Sequence, residues 1–386
     1  MRHSLLSKFQ GILLGAALGD FIGDRYQSQL LGISPQTENL RSILKLTKHQ
    51  QLSSPGAMSG LNSANSKLLI GKNLSECGRL AVACAQSLIR CNGLDVKDWH
   101  HTWEAFTKSE MSDRQSREFQ SILHPGKAAV STLPVAMFFH ENTVKLREKL
   151  MLATEVWQDQ QVSEWQTGIL SVGYAIARSL KAKLDPATAM KQTITYLEID
   201  NALTELLLQV QLLIEQGADL ERAATHLCKS ATAWQPLRGD IEKNPQPNSI
   251  VNPLTFIPIA LAFYCFLSTP EDLRLSVVRA ARCGIAGPLT CALTGALSGA
   301  YNGAAAIPVE WRQALSNAGE PRSATEGPES SIWGTGSDAK IVELANHLFA
   351  VWAGVYSVKT GSESATGTPV VTAPYVIRPH QIRTQK

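Results

Sequence analysis

The stretch Cys283-Gly-Ile-Ala-Gly-Pro-Leu-Thr-Cys-Ala-Leu-Thr-Gly-Ala-Leu-Ser-Gly-Ala-Tyr-Asn-Gly-Ala-Ala-Ala-Ile-Pro-Val-Glu-Trp-Arg312 decides the fold. Gly295, Gly299 and Gly303 recur at every fourth position among Ala and Ser. On a helix this spacing makes a ridge almost free of side chains, along which a second helix can approach closely. Each glycine costs a helix interior about 1 kcal/mol relative to Ala, so close packing has to compensate. Pro288 suits a first helical turn, where its missing N–H is not needed, and Gly303 suits the stop. A buried central helix is predicted over 288–303, entered through the glycine-bearing loop Gly284 to Gly287. A loop feeding a helix N-terminus is a common place for an anion or metal site, yet this loop holds no acidic residue.

Residues 4–22 carry the matching signal. Gly11, Gly15, Gly19 and Gly23 form a second ridge of period four, so the two helices are predicted to pack on each other. Arg2, Lys8 and the apolar run after them superficially resemble a signal peptide, but Lys8 and Gln10 interrupt the run and Asp20 and Asp24 follow it. No stretch has 18 uninterrupted apolar residues. The expectation is a cytoplasmic protein with no membrane partner.

The remaining helical periodicity falls near 75–91 (with Ser75 as cap), 96–108, 112–121, 128–139, 143–158, 163–183, 186–198, 200–216, 218–232, 256–267, 270–283, 307–317 and 337–356. Only short pieces such as Thr368 to Thr372 read as strand. The fold class is therefore all-α, with residues 1–357 as one helical domain. Residues 33–72, rich in Ser, Asn and Gly, read as a long loop. Residues 318–336 read as a surface loop, and the Thr/Ser/Pro-rich residues 358–386 as a disordered tail.

Composition narrows the function classes. The chain has 386 residues, 44% of them hydrophobic and 18% charged, with net charge +3. That is enough chain for a large core, and no basic stripe interleaved with aromatics argues for nucleic acid. Trp99, Trp103 and Trp165 read as packing residues of amphipathic helices. The seven cysteines form no Cys-x-x-Cys pair and read as small core residues. His100, His101 and His124 show no metal-ligand spacing, and no phosphate-binding loop, nucleophile elbow or dinucleotide fingerprint is present.

Four segments, in order, resemble the ADP-ribosylglycohydrolase family, which includes the dinitrogenase-reductase-activating glycohydrolases. They are Gly11-Ile-Leu-Leu-Gly-Ala-Ala-Leu-Gly-Asp20-Phe-Ile-Gly23, Ser75-Glu-Cys-Gly-Arg-Leu-Ala81, Gly126-Lys-Ala-Ala-Val-Ser-Thr-Leu-Pro134, and the opening stretch with its Gly-rich helix, Ala-Ile-Pro exit and Trp311. The resemblance covers roughly 8–357 and implies an orthogonal multi-helix bundle. It also implies two magnesium ions, held between a Thr-Asp-Asp segment and an Asp-Thr-Asp-Thr segment, which orient the substrate ribose and activate water.

The chain departs from the pattern at those ligands. Where the family has Asp-Thr-Asp-Thr, this sequence has Ala286-Gly287-Pro288-Leu289. The first segment keeps one carboxylate, Glu76, followed by Cys77 and Gly78, and Ser131 stands where the family has Arg. One Glu and Thr290 do not make a two-magnesium cage, so no metal ligand and no metal cofactor are expected. The expectation is a catalytically inactive relative that keeps the scaffold to bind ADP-ribose, a related nucleotide or a protein. The candidate ligand-binding residues are Asp20, Glu76, Gly126, Lys127, Ser131 and Gly287. Each has a structural reading beside it: local hydrogen bonding for Asp20, helix-dipole placement for Glu76, and a solvated side chain for Lys127. Two alternatives stand next to this one. The first is an active hydrolase with an atypical or metal-free site using Glu76; the second is an interaction scaffold acting through the loops and tail.

Overall fold

The computed structural model describes residues 3–30, 75–110, 125–155, 162–234, 252–319, 332–335 and 337–355. Every regular element among them is helical. In chain order the helices are α1 (Leu5–Leu30), α2 (Ser75–Cys91), α3 (Val96–Glu110), α4 (Pro125–Ser131), α5 (Leu133–Phe138), α6 (Thr143–Thr154), α7 (Val162–Leu180), α8 (Ala189–Leu197), α9 (Ala202–Glu215), α10 (Leu220–Ala233), α11 (Ile257–Leu267), α12 (Leu273–Cys283), α13 (Gly287–Asn302), α14 (Val309–Gly319) and α15 (Asp338–Trp352). Short 3-10 turns lie at Pro253–Phe256, Ala304–Ala306 and Ile332–Gly334. The expected segments 33–72, 112–121 and 358–386 lie outside the described residues, as does most of 318–336.

The sequence of α13 dictates its central place. Of its residues only Tyr301 is not buried, and α1, α4, α7, α11 and α12 surround it. Its pairing with α1 is the largest helix contact in the protein. Gly11, Gly15, Gly19 and Gly23 face Gly299, Gly295, Cys291 and Gly287 in turn, so the two helices run antiparallel. A Cβ added to any of those four α1 glycines would lie under 3.0 Å from a backbone carbonyl of α13. Gly295 and Gly299 meet the carbonyls of Gly15 and Gly11 equally closely. The ridges are thus backbone against backbone, which only glycine allows. α1 contains a window, Leu5–Ser28, apolar enough by length and composition to cross a bilayer, and 72% of it is buried inside the protein.

Local chemistry sets the ends. Asn142, Asn201, Asp219, Asp272 and Ser337 each cap the helix that follows by accepting a backbone N–H. Gly284 (φ +65°) ends α12, and Ala286 (φ +44°) turns the chain into α13 with Pro288 in the first turn. Several expected boundaries move, the helix expected over 186–198 starting at Ala189 and the one expected over 337–356 ending at Trp352. α1 runs on to Leu30 rather than stopping near 22. The helix expected from 270 begins at Leu273, because Asp272 is its cap. The one expected from 143 to 158 is α6, which ends at Thr154. The single helix expected over 128–139 is two, α4 and α5. There the Thr132 hydroxyl donates to the Ala128 carbonyl (2.9 Å), and Pro134 has no N–H to continue the ladder.

Candidate functional site

The candidate residues fall around one end of α13. Gly287 opens that helix, and its N–H donates to Gln27 Oε1 of α1 (3.0 Å). The entry loop's first helical N–H is therefore capped by the protein itself. Asp20 lies one residue past Gly19, which abuts Cys291, and three before Gly23, which abuts Gly287. From the next side, α4 brings Gly126 against Leu289 and Leu293, with no room to spare: a Cβ there would sit 3.1 Å from Leu289 Cδ2. Ser131, at the end of α4, donates to the carbonyls of Lys127 (3.1 Å) and Cys77 (3.4 Å), tying α4 to α2. Lys127 occupies a half-buried position of α4. Glu76 lies in the first turn of α2, and its side chain is outside the described residues.

Among the described residues, Asp20 is bonded to a partner far away in sequence. It is 7% exposed, and its Oδ2 accepts the indole N–H of Trp333 at 2.9 Å. Burial pushes the Asp20 carboxyl up to about 7, from an ordinary value of 3.8; the Trp333 hydrogen bond acts against this and the charge of Asp24 adds to it. Trp333 itself is 1% exposed, which corrects the expectation of a surface loop at this end of 318–336. Its ring lies over Gly78: a Cβ at Gly78 would fall inside van der Waals contact with Cγ, Cδ1 and Nε1 of the indole. The segment reaches the site through a left-handed backbone, with φ +56° at Trp333 and +71° at Gly334. For a bulky residue such as Trp that conformation costs about 1–2 kcal/mol, which burial of the indole offsets. Beside it, a Cβ at Gly334 would meet the aliphatic stem of Arg79 at 3.3 Å.

Sequence reasoning thus finds α1, α4 and α13 of this site and misses Trp333 and Arg79. Nothing in the sequence signals Trp333. It lies 313 positions from Asp20, in a stretch whose composition is that of a loop.

Other titratable groups are engaged elsewhere. His100 pairs with Glu104 on the exposed face of α3 (3.3 Å). His140, which the sequence reading passes over, is buried against Phe9 and Trp352, with Nδ1 2.7 Å from the Met137 carbonyl. Burial lowers its pKa to about 4. The cysteines are free thiols, and all but Cys91 are buried, in keeping with their reading as core residues. Burial pushes Cys84 up beyond the titratable range and Cys283 up to about 12. Trp99 and Trp165 are fully buried, as expected of packing residues. Among the described residues, no group of three or more His, Cys, Asp or Glu side chains is arranged to hold a metal ion.

Comparison with known proteins adds the following. The sequence profile of the family described as ADP-ribosylglycohydrolase matches residues 1–355. A search of curated proteins finds no match. A solved structure described as an "ADP-ribosylglycohydrolase-related protein complex" is similar at 14% identity with a TM-score of 0.48, over 90% of this chain and 99% of that one.

Proposed function

Because the chain belongs to the ADP-ribosylglycohydrolase family, we propose that it is a member that no longer hydrolyses ADP-ribosyl bonds and that keeps the scaffold for binding. The observation that carries this reading is the Trp333 indole, which fills the ground between Asp20 and Gly78 and engages the Asp20 carboxyl. A site that used Asp20 for chemistry would have to work with Oδ2 bonded to the indole.

The donor set supports the same reading. A pair of hard cations needs several carboxylate oxygens at short range. At the start of α13 the side chains are those of Ala286, Gly287, Pro288 and Leu289, and the Thr290 hydroxyl donates to the Ile285 carbonyl at 2.7 Å. The Asp20 carboxyl is instead engaged by the Trp333 indole N–H. These residues do not fit a dinuclear magnesium centre.

The test is release of ADP-ribose from proteins modified on Arg or Ser, with and without Mg²⁺. The expected result is none above background. Turnover by the wild-type protein that Glu76→Gln abolishes would instead establish the atypical hydrolase. Calorimetry with ADP-ribose then separates the two binding readings. Binding that is independent of Mg²⁺ and is strengthened in Trp333→Ala favours a nucleotide receptor that the indole partly occludes. No binding by either protein favours a protein-binding scaffold.

A further inference from the structure

At the far end of the α1/α13 pair lies a polar cavity of about 430 Å³. Lys8 and Asp20 are twelve positions apart on α1, so the cavity is about 18 Å from the candidate site at 1.5 Å per residue. Its lining includes Lys8 of α1, Ser179 of α7, Glu271 from the turn before α12, and Tyr301 and Asn302 at the end of α13.

Lys8 is the unusual member. It is only 6% exposed, and its Nζ donates to the Ser179 carbonyl at 2.5 Å. No ion pair joins it to a carboxylate among the described residues. An ammonium group has three donors, so two remain beside a carbonyl that also receives the Ala182 N–H (3.0 Å). A buried cation without a counter-charge is costly, and burial accordingly lowers the Lys8 pKa. The rim has the opposite character. Glu271 is exposed there, and the carbonyl end of α13 adds partial negative charge, while that of α7 faces Lys8 through Ser179. The backbone is also strained at the rim: Ala182 takes φ +52° in the turn that follows α7. Asn302 is held in place, with Nδ2 donating to the carbonyls of Pro270 (2.7 Å) and Ser298 (3.1 Å). The cavity thus has a cationic floor and an anionic rim.

We propose that this cavity binds a small zwitterion of the amino-acid class, its carboxylate on Lys8 and its ammonium group at Glu271 and the carbonyl end of α13. The carboxylate supplies the counter-charge that Lys8 lacks. A simple monoacid leaves the rim unpaired, and a simple amine meets the Lys8 charge.

The experiment is calorimetry or ligand-observed NMR on the full chain with three matched probes: 4-aminobutyrate, butyrate and butylamine. The expected order places 4-aminobutyrate first, with butylamine undetectable. Lys8→Met weakens both carboxylates by at least about 10-fold. Glu271→Gln, at an exposed position that leaves folding intact, weakens 4-aminobutyrate about 3–10-fold and leaves butyrate unchanged. If Lys8→Met does not fold, the Glu271→Gln selectivity decides alone. The proposal is overturned if no probe binds at about 10 mM, if butyrate binds as well as 4-aminobutyrate, or if Glu271→Gln changes neither.

Discussion

Asp20 and His140 are buried titratable residues that pull the pH profile in opposite directions. The folded state keeps the Asp20 carboxyl protonated up to about pH 7, whereas an unfolded chain gives up that proton near pH 4. Stability is therefore lost as pH rises from about 4 to 7, by up to about 4 kcal/mol at 1.36 kcal/mol per pKa unit. His140 has its folded pKa lowered to about 4, so stability is lost as pH falls from about 6.5 to 4, by about 3 kcal/mol. The wild-type profile across this window is expected to be nearly flat because the two slopes offset. Asp20→Asn removes one of them, so its urea midpoint should climb from pH 4 to 6.5 and then stay level. At pH 8 the variant should exceed wild type by about 2–4 kcal/mol, and a parallel shift at all pH values would refute the account. Trp333→Phe keeps an aromatic ring, smaller than the indole, and deletes the N–H. It should cost about 1–3 kcal/mol by leaving a buried carboxyl unbonded, and NMR titration should find the Asp20 carboxyl above its wild-type value. Neither residue's role is legible from the chain, since both depend on neighbours far away in sequence.

The helix elements show the reverse. The two glycine ridges announce α1, α13 and their mutual contact before any coordinates, because a run of period-four glycines inside apolar helices has little use other than backbone contact. Gly→Ala in a free helix gains about 1 kcal/mol, so the sign of the effect is diagnostic. At Gly15, where a Cβ falls inside van der Waals contact with the Gly295 carbonyl, Gly15→Ala should destabilise by about 1–3 kcal/mol or more through overpacking. Thermal melts should put Gly15→Ala several degrees below wild type, and equal melts would refute the ridge packing. The boundary between α4 and α5 was not legible. Apolar periodicity continues through it, and the break comes from one hydroxyl bond at Thr132 and one missing N–H at Pro134.

For the whole molecule, the all-α architecture and the family are readable because they rest on periodicity and spaced motifs. The state of the site is not, because it turns on a tryptophan delivered by a turn between α14 and α15. The α1/α13 contact also has a consequence for the order of synthesis. Gly11 leaves the ribosome some 288 residues ahead of Gly299, the partner it touches. Until that partner emerges, a 26-residue apolar helix has no groove to lie in. Pairing so distant in sequence makes folding slow and leaves the early chain prone to aggregation. A fragment ending at residue 286 should thus be insoluble or bound to chaperones, while one ending at 355 should melt cooperatively. Pulse proteolysis of stalled nascent chains would show protection of α1 appearing only after α13 has cleared the exit tunnel. Helix α1 is made long before the partner that secures it, and in that interval the protein depends on the cell to shield the surface it later hides best.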